Sequence, residues 1–433
     1  MNKRFDISRR GFLKLGGGAV AAAAGARLLP GAVANLLQPA ASVANATINP
    51  TYHLGGTDGW VAMPPSAPAI SPYFPDTLAP SPFNTYVFGF RNLTGMTDGQ
   101  ITNQKNHAQL SAPILEATEN VEMTIKLTNI GLALRPDLVD SHTMHWHGFR
   151  NAIPLFDGEP TSSLSVPIGR NITYYFNPHA AGTYMYHCHF EDTEHVHMGM
   201  TGTVFVRPTM GRNFAYNDAS TGFDREFVMF LSEVWAEAHW DDAHIQLPDW
   251  TDYKPDFYLL NGRCYPDTLA PNGTGFDTDG YLNVPAAPNA HLQYQPISSL
   301  VRINAGEKGL LRFVNLGFLR QSMTLPGIKM RVVGKDATLQ KNGSADKTFY
   351  TNTVTLGAGE SYDASFQAPS YSSSAQVFTD TALPGSPTYN KYLLYNRNYD
   401  HLSNAGGAGA GGQMTEIRVY QPGTLAAQTS PNT

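Results

Sequence analysis

His142-Thr-Met-His145-Trp-His147-Gly148 and Gly182-Thr-Tyr-Met-Tyr-His187-Cys188-His189, the latter running on through Phe-Glu-Asp-Thr-Glu to His195-Val-His197-Met198-Gly199-Met200, decide how this chain is read. Eight of its 14 histidines and one of its two cysteines lie between 142 and 200. On extended backbone, residues two apart share a face and the residue between them points the other way. His187 and His189 therefore face one side and Cys188 the other, while His145 and His147 share a face with Trp146 turned away. A thiolate, two imidazoles and a weak axial thioether are the donor set of a blue copper centre. Cys188 supplies the thiolate, His142 and His195 the imidazoles, and Met200 the axial sulfur. His145, His147, His187 and His189 then converge on a second metal site, joined to the first through the Cys188 peptide. Zinc is the chemical rival, but zinc sites rarely recruit methionine or interleave histidines around one cysteine.

Outward from these clusters the pattern is that of short strands. Glu122–Thr128 alternates polar and apolar residues, and Ile172–Phe176, Thr183–Tyr186 and Thr201–Val206 are rich in β-branched and aromatic residues between turn formers. The expectation from these runs is an all-β protein whose two units are sandwiches or barrels. The first runs over 47–207 and carries the metal clusters at strand ends, although 47–110 reads as a wrap of loops and edge strands. A polar linker (208–224) leads to a second β-rich domain (225–422) without copper motifs. A long polar insertion (236–298) interrupts that domain, and a loose tail (423–433) ends the chain.

Composition narrows the class further. Only 15% of the 433 residues are charged, against 40 glycines and 30 prolines, which suits strands joined by many turns. A net charge of -6 gives no basic footprint, so no nucleic-acid partner is expected. Two cysteines make no disulfide framework, and Cys264 reads as a small buried side chain. Ser8-Arg-Arg-Gly-Phe-Leu-Lys14 followed by a Gly/Ala/Leu run reads as a twin-arginine signal peptide over 1–46, placing the mature protein in the periplasm or outside the cell.

The two histidine motifs resemble those of the multicopper oxidases, the laccase-like branch of the cupredoxins. The resemblance is strong over 120–206 and looser in phrases such as Leu311-Arg-Phe-Val-Asn315 and Thr355-Leu-Gly-Ala-Gly-Glu360. It implies two cupredoxin-like Greek-key β-sandwich domains, and that His142, Cys188, His195 and Met200 bind type 1 copper. It also implies that His145, His147, His187 and His189 bind type 2/type 3 copper, where dioxygen is reduced. Five residues separate His189 from His195, two more than the usual motif, and His195-x4-Met200 keeps the family spacing better than His197 with Met198. The blue-copper motif stands in the first domain, an order known in compact two-domain members that work as trimers. The chain shows half of the family's trinuclear ligands, and the second domain has no His-x-His. Two first domains meeting face to face, a second ligand-supplying chain, or a simplified inner site would each account for this.

Three functions follow from these residues. The first is an oxidoreductase taking electrons from a small molecule or a redox protein at the blue copper and passing them to dioxygen at the inner site. The second is a blue-copper electron carrier or copper-binding protein with an incomplete inner site. The third is an enzyme like copper nitrite reductase, although His145 stands where that family carries a catalytic aspartate.

Overall fold

The computed structural model describes residues 50–273 and 288–433, and the arginine-rich leader lies outside them. Eight strands build the first sandwich: β1 (Tyr52–Val61), β2 (Thr85–Asn92), β3 (Leu115–Thr118), β4 (Met123–Gly131), β5 (His145–His147), β6 (Asn171–Phe176), β7 (Gly182–His187) and β8 (Thr201–Arg207). One sheet has the order β2-β1-β4-β6 and the facing sheet β3-β8-β7-β5. β4 alternates buried and half-buried positions along its whole length, so one face fills the core and the other meets solvent. Between the sheets, Phe88, Phe90, Ile125, Leu127, Trp146, Tyr174 and Val204 pack together with Cys188, Met198 and Met200.

The sequence places only loops and edge strands before residue 110, yet β1 is an inner strand of its sheet, antiparallel to β2 and parallel to β4. Its glycines hide it from a propensity reading. A side chain at Gly55 would strike Ile130 and Leu93, and one at Gly59 would strike Ala108. The glycines are there because neighbouring groups approach the backbone closely.

The second sandwich uses β9 (Arg225–Val234), β10 (Phe257–Leu260), β11 (Val301–Asn304), β12 (Lys308–Asn315), β13 (Gln321–Thr324) and β14 (Met330–Lys335), with later strands at Thr353–Leu356, Glu360–Gln367, Thr388–Asn396 and Met414–Tyr420. β10, β9, β12, Glu360–Gln367 and β14 are neighbours in one sheet. β11, Met414–Tyr420, Thr388–Asn396, β13 and Thr353–Leu356 are neighbours in the other. Phe227, Leu311, Phe313, Met330 and Ile417 fill the space between them.

Two segments are more ordered than their composition suggests. The polar insertion holds a helix, α3 (Ala236–Ala243, the third after α1 at Asp98–Thr102 and α2 at Asp192–Met198), and contributes β10 to the sheet. The tail is pinned by Asn432, which is buried and exchanges both hydrogen bonds with the backbone of Val228.

The two sandwiches are joined through buried charge. Arg312 of β12 is fully buried, donating to Glu226 at 3.0 Å and to Thr183 of β7 at 2.9 Å. Arg207 of β8 reaches the same Glu226 from the first sandwich. Ion pairs this dry persist only when every charge has a partner, and here β7, β8, β9 and β12 must all be in place to supply them.

Candidate metal centre

Residue alternation at the end of β7 does what the sequence implies. His187 is its last residue, pairs across the sheet with His145 of β5, and turns its ring to one side. Cys188 follows and points into the sandwich core, fully buried. One ligand atom each from His142, Cys188 and His195 lie mutually within 4.8 Å, and so do those of His145, His147 and His187. The sequence motif is thus split into two sets by a single peptide.

In the Cys188 set, Sγ lies 3.3 Å from Nδ1 of His195 and accepts a 3.4 Å hydrogen bond from the Thr143 N–H. The rings of His142 and His195 are 5.1 Å apart. His142 packs against Gly56 of β1, where a side chain would overlap its ring. Burial alone would raise the thiol, but the imidazoles of His195 and His142 outweigh it and hold Cys188 well below the usual thiol range. Burial opposes a charge on His195 too; Cys188 and Asp140 overcome it and push this imidazole up to about 10. Met200 is fully buried in the same core, and its backbone is tied to both partners: Cys188 N–H donates to Met200 O, and Met200 N–H to His195 O.

His195 and its neighbours lie on α2, a short helix absent from the strand-based reading. One consequence is that His197 leaves the site. It accepts a hydrogen bond from the Trp235 N–H at 3.2 Å and is ringed by Trp250, Tyr253, Phe318 and His239. Met198 is buried in the same core as Met200.

In the inner set, the ring of His145 lies 5.8 Å from that of His147 and 5.2 Å from those of His187 and His189. His147 Nδ1 and His187 Nε2 are 3.4 Å apart. Burial keeps His145 and His147 below the ordinary imidazole value and lowers His187 to about 3, so these rings are neutral and able to bind a cation. His145 is oriented through Nδ1, 2.5 Å from the Asp157 carbonyl, the kind of outer partner that fixes a ligand's tautomer. A cavity of about 480 Å³ opens beside His147 and His187, walled by Gly317, Phe318, Ala358 and Gly359 of the second sandwich.

Both sets fit copper on their own chemistry: one thiolate with two imidazoles and a nearby methionine, and a cluster of imidazoles. His142 Nδ1 is buried without a hydrogen-bond partner, as a nitrogen reserved for a cation would be. Sequence reasoning missed Asp140, whose carboxylate lies 3.6 Å from His195 Nε2, and Gly359, whose missing side chain makes room for His147. Asp140 stands two residues before His142, a signal that was available.

The remaining histidines are engaged elsewhere. His53 pairs with Thr128, His107 stacks on Tyr294, and His179 meets Asn120. His239 contacts the Tyr86 carbonyl, His244 and His291 pair with Asp76 and Asp267, and His401 stacks on Tyr258. Cys264 is buried, and burial raises its thiol, as expected of a packing residue.

Residues 97–211 match the family model described as multicopper oxidase. The chain is 27% identical over 265 residues to an iron transport multicopper oxidase (fetC) of Epichloe festucae, covering 60% of this chain and 36% of that protein. It is 25% identical over 259 residues to laccase-3 of Thanatephorus cucumeris, covering 58% and 38%. The matches thus span less than two-fifths of these relatives' own length. The fold is shared with the blue copper oxidase from Nitrosomonas europaea, at a TM-score of 0.55 and 19% identity over 85% of each chain.

Proposed function

We propose that this protein, a multicopper-oxidase-type cupredoxin, is an exported copper oxidoreductase that draws electrons from a reducing substrate and delivers them to dioxygen. His142, Cys188, His195 and Met200 would hold type 1 copper, and His145, His147, His187 and His189 the inner type 2/type 3 copper. Copper bound there supplies one-electron redox chemistry that the side chains lack. One observation carries the reading: Cys188 is flanked in the chain by His187 and His189, so the two ligand sets share a covalent path one residue long. A chain that needed only a carrier site would gain nothing from four clustered imidazoles behind it.

The residues also prepare the electron's route. Thr143 ties the sets together, its N–H on Cys188 Sγ and its hydroxyl accepting from the His189 N–H at 2.9 Å. Asp140 stands on the outer side of His195, where it would favour the oxidised, more positive state of that centre. Dioxygen would enter through the cavity beside His147 and His187. The electron donor is a small molecule or a redox protein. Export follows from the twin-arginine leader, and no helix among the described residues is long and apolar enough to cross a membrane.

A second reading has one observation in its favour. No histidine of the second sandwich joins the inner set; His239, His244, His291 and His401 all have other partners. With the inner site incomplete, the protein would be a blue-copper electron carrier. Copper per chain in the natively exported protein decides between them. A ratio of about one favours the carrier, about two a single inner copper as in a nitrite-reductase-like plan, and about two and a half a three-copper cluster shared by two chains.

A further inference from the structure

The second sandwich carries a cleft that shares no residue with either metal set. It has a volume of about 370 Å³ and lies at the end of the sheet that holds β12, Glu360–Gln367 and β14. Strand register decides what lines it. Lys308 pairs with Gln367, and Ser365 pairs with Arg331, which on its other side pairs with Tyr350 of the short strand Phe349–Thr351. Ser365 and Gln367 are two apart and share a face, while Phe366 between them is buried in the core. Lys329, two residues before Arg331, joins the same opening. Three cations, a hydroxyl, an amide and an aromatic ring are thus brought together.

Charge sets this cleft apart from the rest of the surface. The chain has 35 acidic residues against 29 lysines and arginines, yet among the described residues no carboxylate lines the cleft. The acids closest in sequence are engaged: Glu307 pairs with Arg225, Asp224 accepts from the Lys308 backbone N–H, and Asp346, not itself a lining residue, meets Arg331 at 3.4 Å. Arg331 is held by Thr348 Oγ1 at 3.0 Å and the Ser220 carbonyl at 3.3 Å. Lys308 and Lys329 are exposed, and among the described residues their ammonium groups have no partner. Tyr350 is 67% exposed, so its ring is not spent on packing.

We propose that this cleft binds an acidic polysaccharide built of uronate sugars and tethers the protein to it. Lys308 and Arg331 are rooted on strands two apart, roughly 10 Å. Charges spread in this way suit an anion whose own charges repeat along a chain. Between them, Ser365 offers a hydroxyl, and Gln367, whose amide nitrogen is held by the Gly306 carbonyl, keeps its oxygen for a sugar hydroxyl. Tyr350 presents an apolar ring face to the C–H side of a sugar. A simple anion such as phosphate would use the cations and leave the ring and the amide without a role.

The experiment is affinity electrophoresis of the full chain in gels holding polygalacturonate, with fully methyl-esterified polygalacturonate as the uncharged comparison. The protein is itself acidic, so its overall charge opposes retention by a polyanion and retardation reports a local site. The expected result is retardation in the acid polymer, weakened by salt, and none in the ester. Lys308→Ala/Lys329→Ala should weaken binding about tenfold. Tyr350→Ala should weaken it too, and Tyr350→Phe should restore it. Urea midpoints equal to wild type show that the variants are folded; should the double variant lose stability, Lys329→Gln alone carries the test. No retardation of the wild type, equal retardation in the ester, or a folded double variant that binds like wild type overturns the proposal. Retardation abolished by millimolar inorganic phosphate and indifferent to Tyr350→Ala overturns it in favour of a simple anion site. None of these outcomes bears on the copper reading.

Discussion

Cys188 Sγ lies 3.3 Å from His195 Nδ1, and the opposite nitrogen of the same ring faces Asp140 at 3.6 Å. The sulfur, imidazole and carboxylate thus line up from the core outward, and the thiolate is already favoured before any cation binds. Replacing the sulfur is the most direct challenge to that arrangement. Cys188→Ser should bleach the protein, because the colour of such a centre comes from thiolate-to-copper charge transfer, and should remove about one copper per chain. Absorption and metal content are the readings; a variant that stays blue would remove Cys188 from the site.

His187 belongs to the other set although it is the next residue in the chain. Its Nε2 lies 3.4 Å from His147 Nδ1 and its Nδ1 2.8 Å from the Cys188 carbonyl, while the Cys188 sulfur joins the other set. His187→Ala should therefore abolish oxygen reduction while the blue absorption survives, with a loss of at least about a hundredfold in turnover, as expected when a metal ligand is removed. Loss of colour together with activity would mean the two sets are not separable as described.

Gly359 reports on how closely the second sandwich covers the inner set. It sits at φ +76°, where a side chain is strained, and an added Cβ would come within 3.3 Å of two His147 ring atoms. Gly359→Ala should cost about 1 kcal/mol of stability from the backbone alone and loosen metal at the inner site with the blue centre intact. Chemical denaturation and the electron paramagnetic resonance of the inner copper check the two halves; an unchanged inner signal would place Gly359 outside the site's influence.

Much of this site is readable from the chain because a period of two needs no knowledge of tertiary contacts. His145 and His147 share a face, His187 and His189 share another, and Cys188 opposes them, all by strand geometry alone. What escaped is what depends on packing. β1 looks like a loop because Gly55, Gly56 and Gly59 reflect the groups pressed against them, Gly56 against His142 itself. His195 is preferred to His197 in the sequence on family spacing alone; the packing reason, α2 turning His197 a half-circle into an aromatic enclosure, is legible only in the structure. Asn432 has no sequence signal at all; its role comes from Val228, 204 residues away.

Arg312 tests the joint between sandwiches. It is wholly buried and donates to Glu226, Thr183 and Asp363. Arg312→Met fits the space but leaves those acids short of a cation, and removing one member of a buried network costs on the order of 3–5 kcal/mol. Urea unfolding should show a much lower midpoint, and an unchanged midpoint would mean Arg207 alone neutralises the network.

Glu233 provides the pH dependence. Its carboxylate is buried and accepts from the Phe318 and Leu319 N–H groups, from Gln321 and from Tyr253, so it anchors the loop whose Gly317 and Phe318 wall the inner cavity. Burial pushes it up to about 7 from 4.5, the donors only partly offsetting that. A carboxyl whose folded value is raised binds its proton more tightly in the native state. Its contribution is therefore complete below about 4.5, declines as pH rises through the window to about 7, and is flat beyond it. The total is on the order of 3 kcal/mol. Glu233→Gln carries no proton to lose, so the decline in unfolding free energy between pH 5 and 7 should shrink by about 2 kcal/mol relative to wild type. Urea titrations at several pH values measure it. A variant with the same slope as wild type would show that the loop over the inner histidines is held without help from this proton.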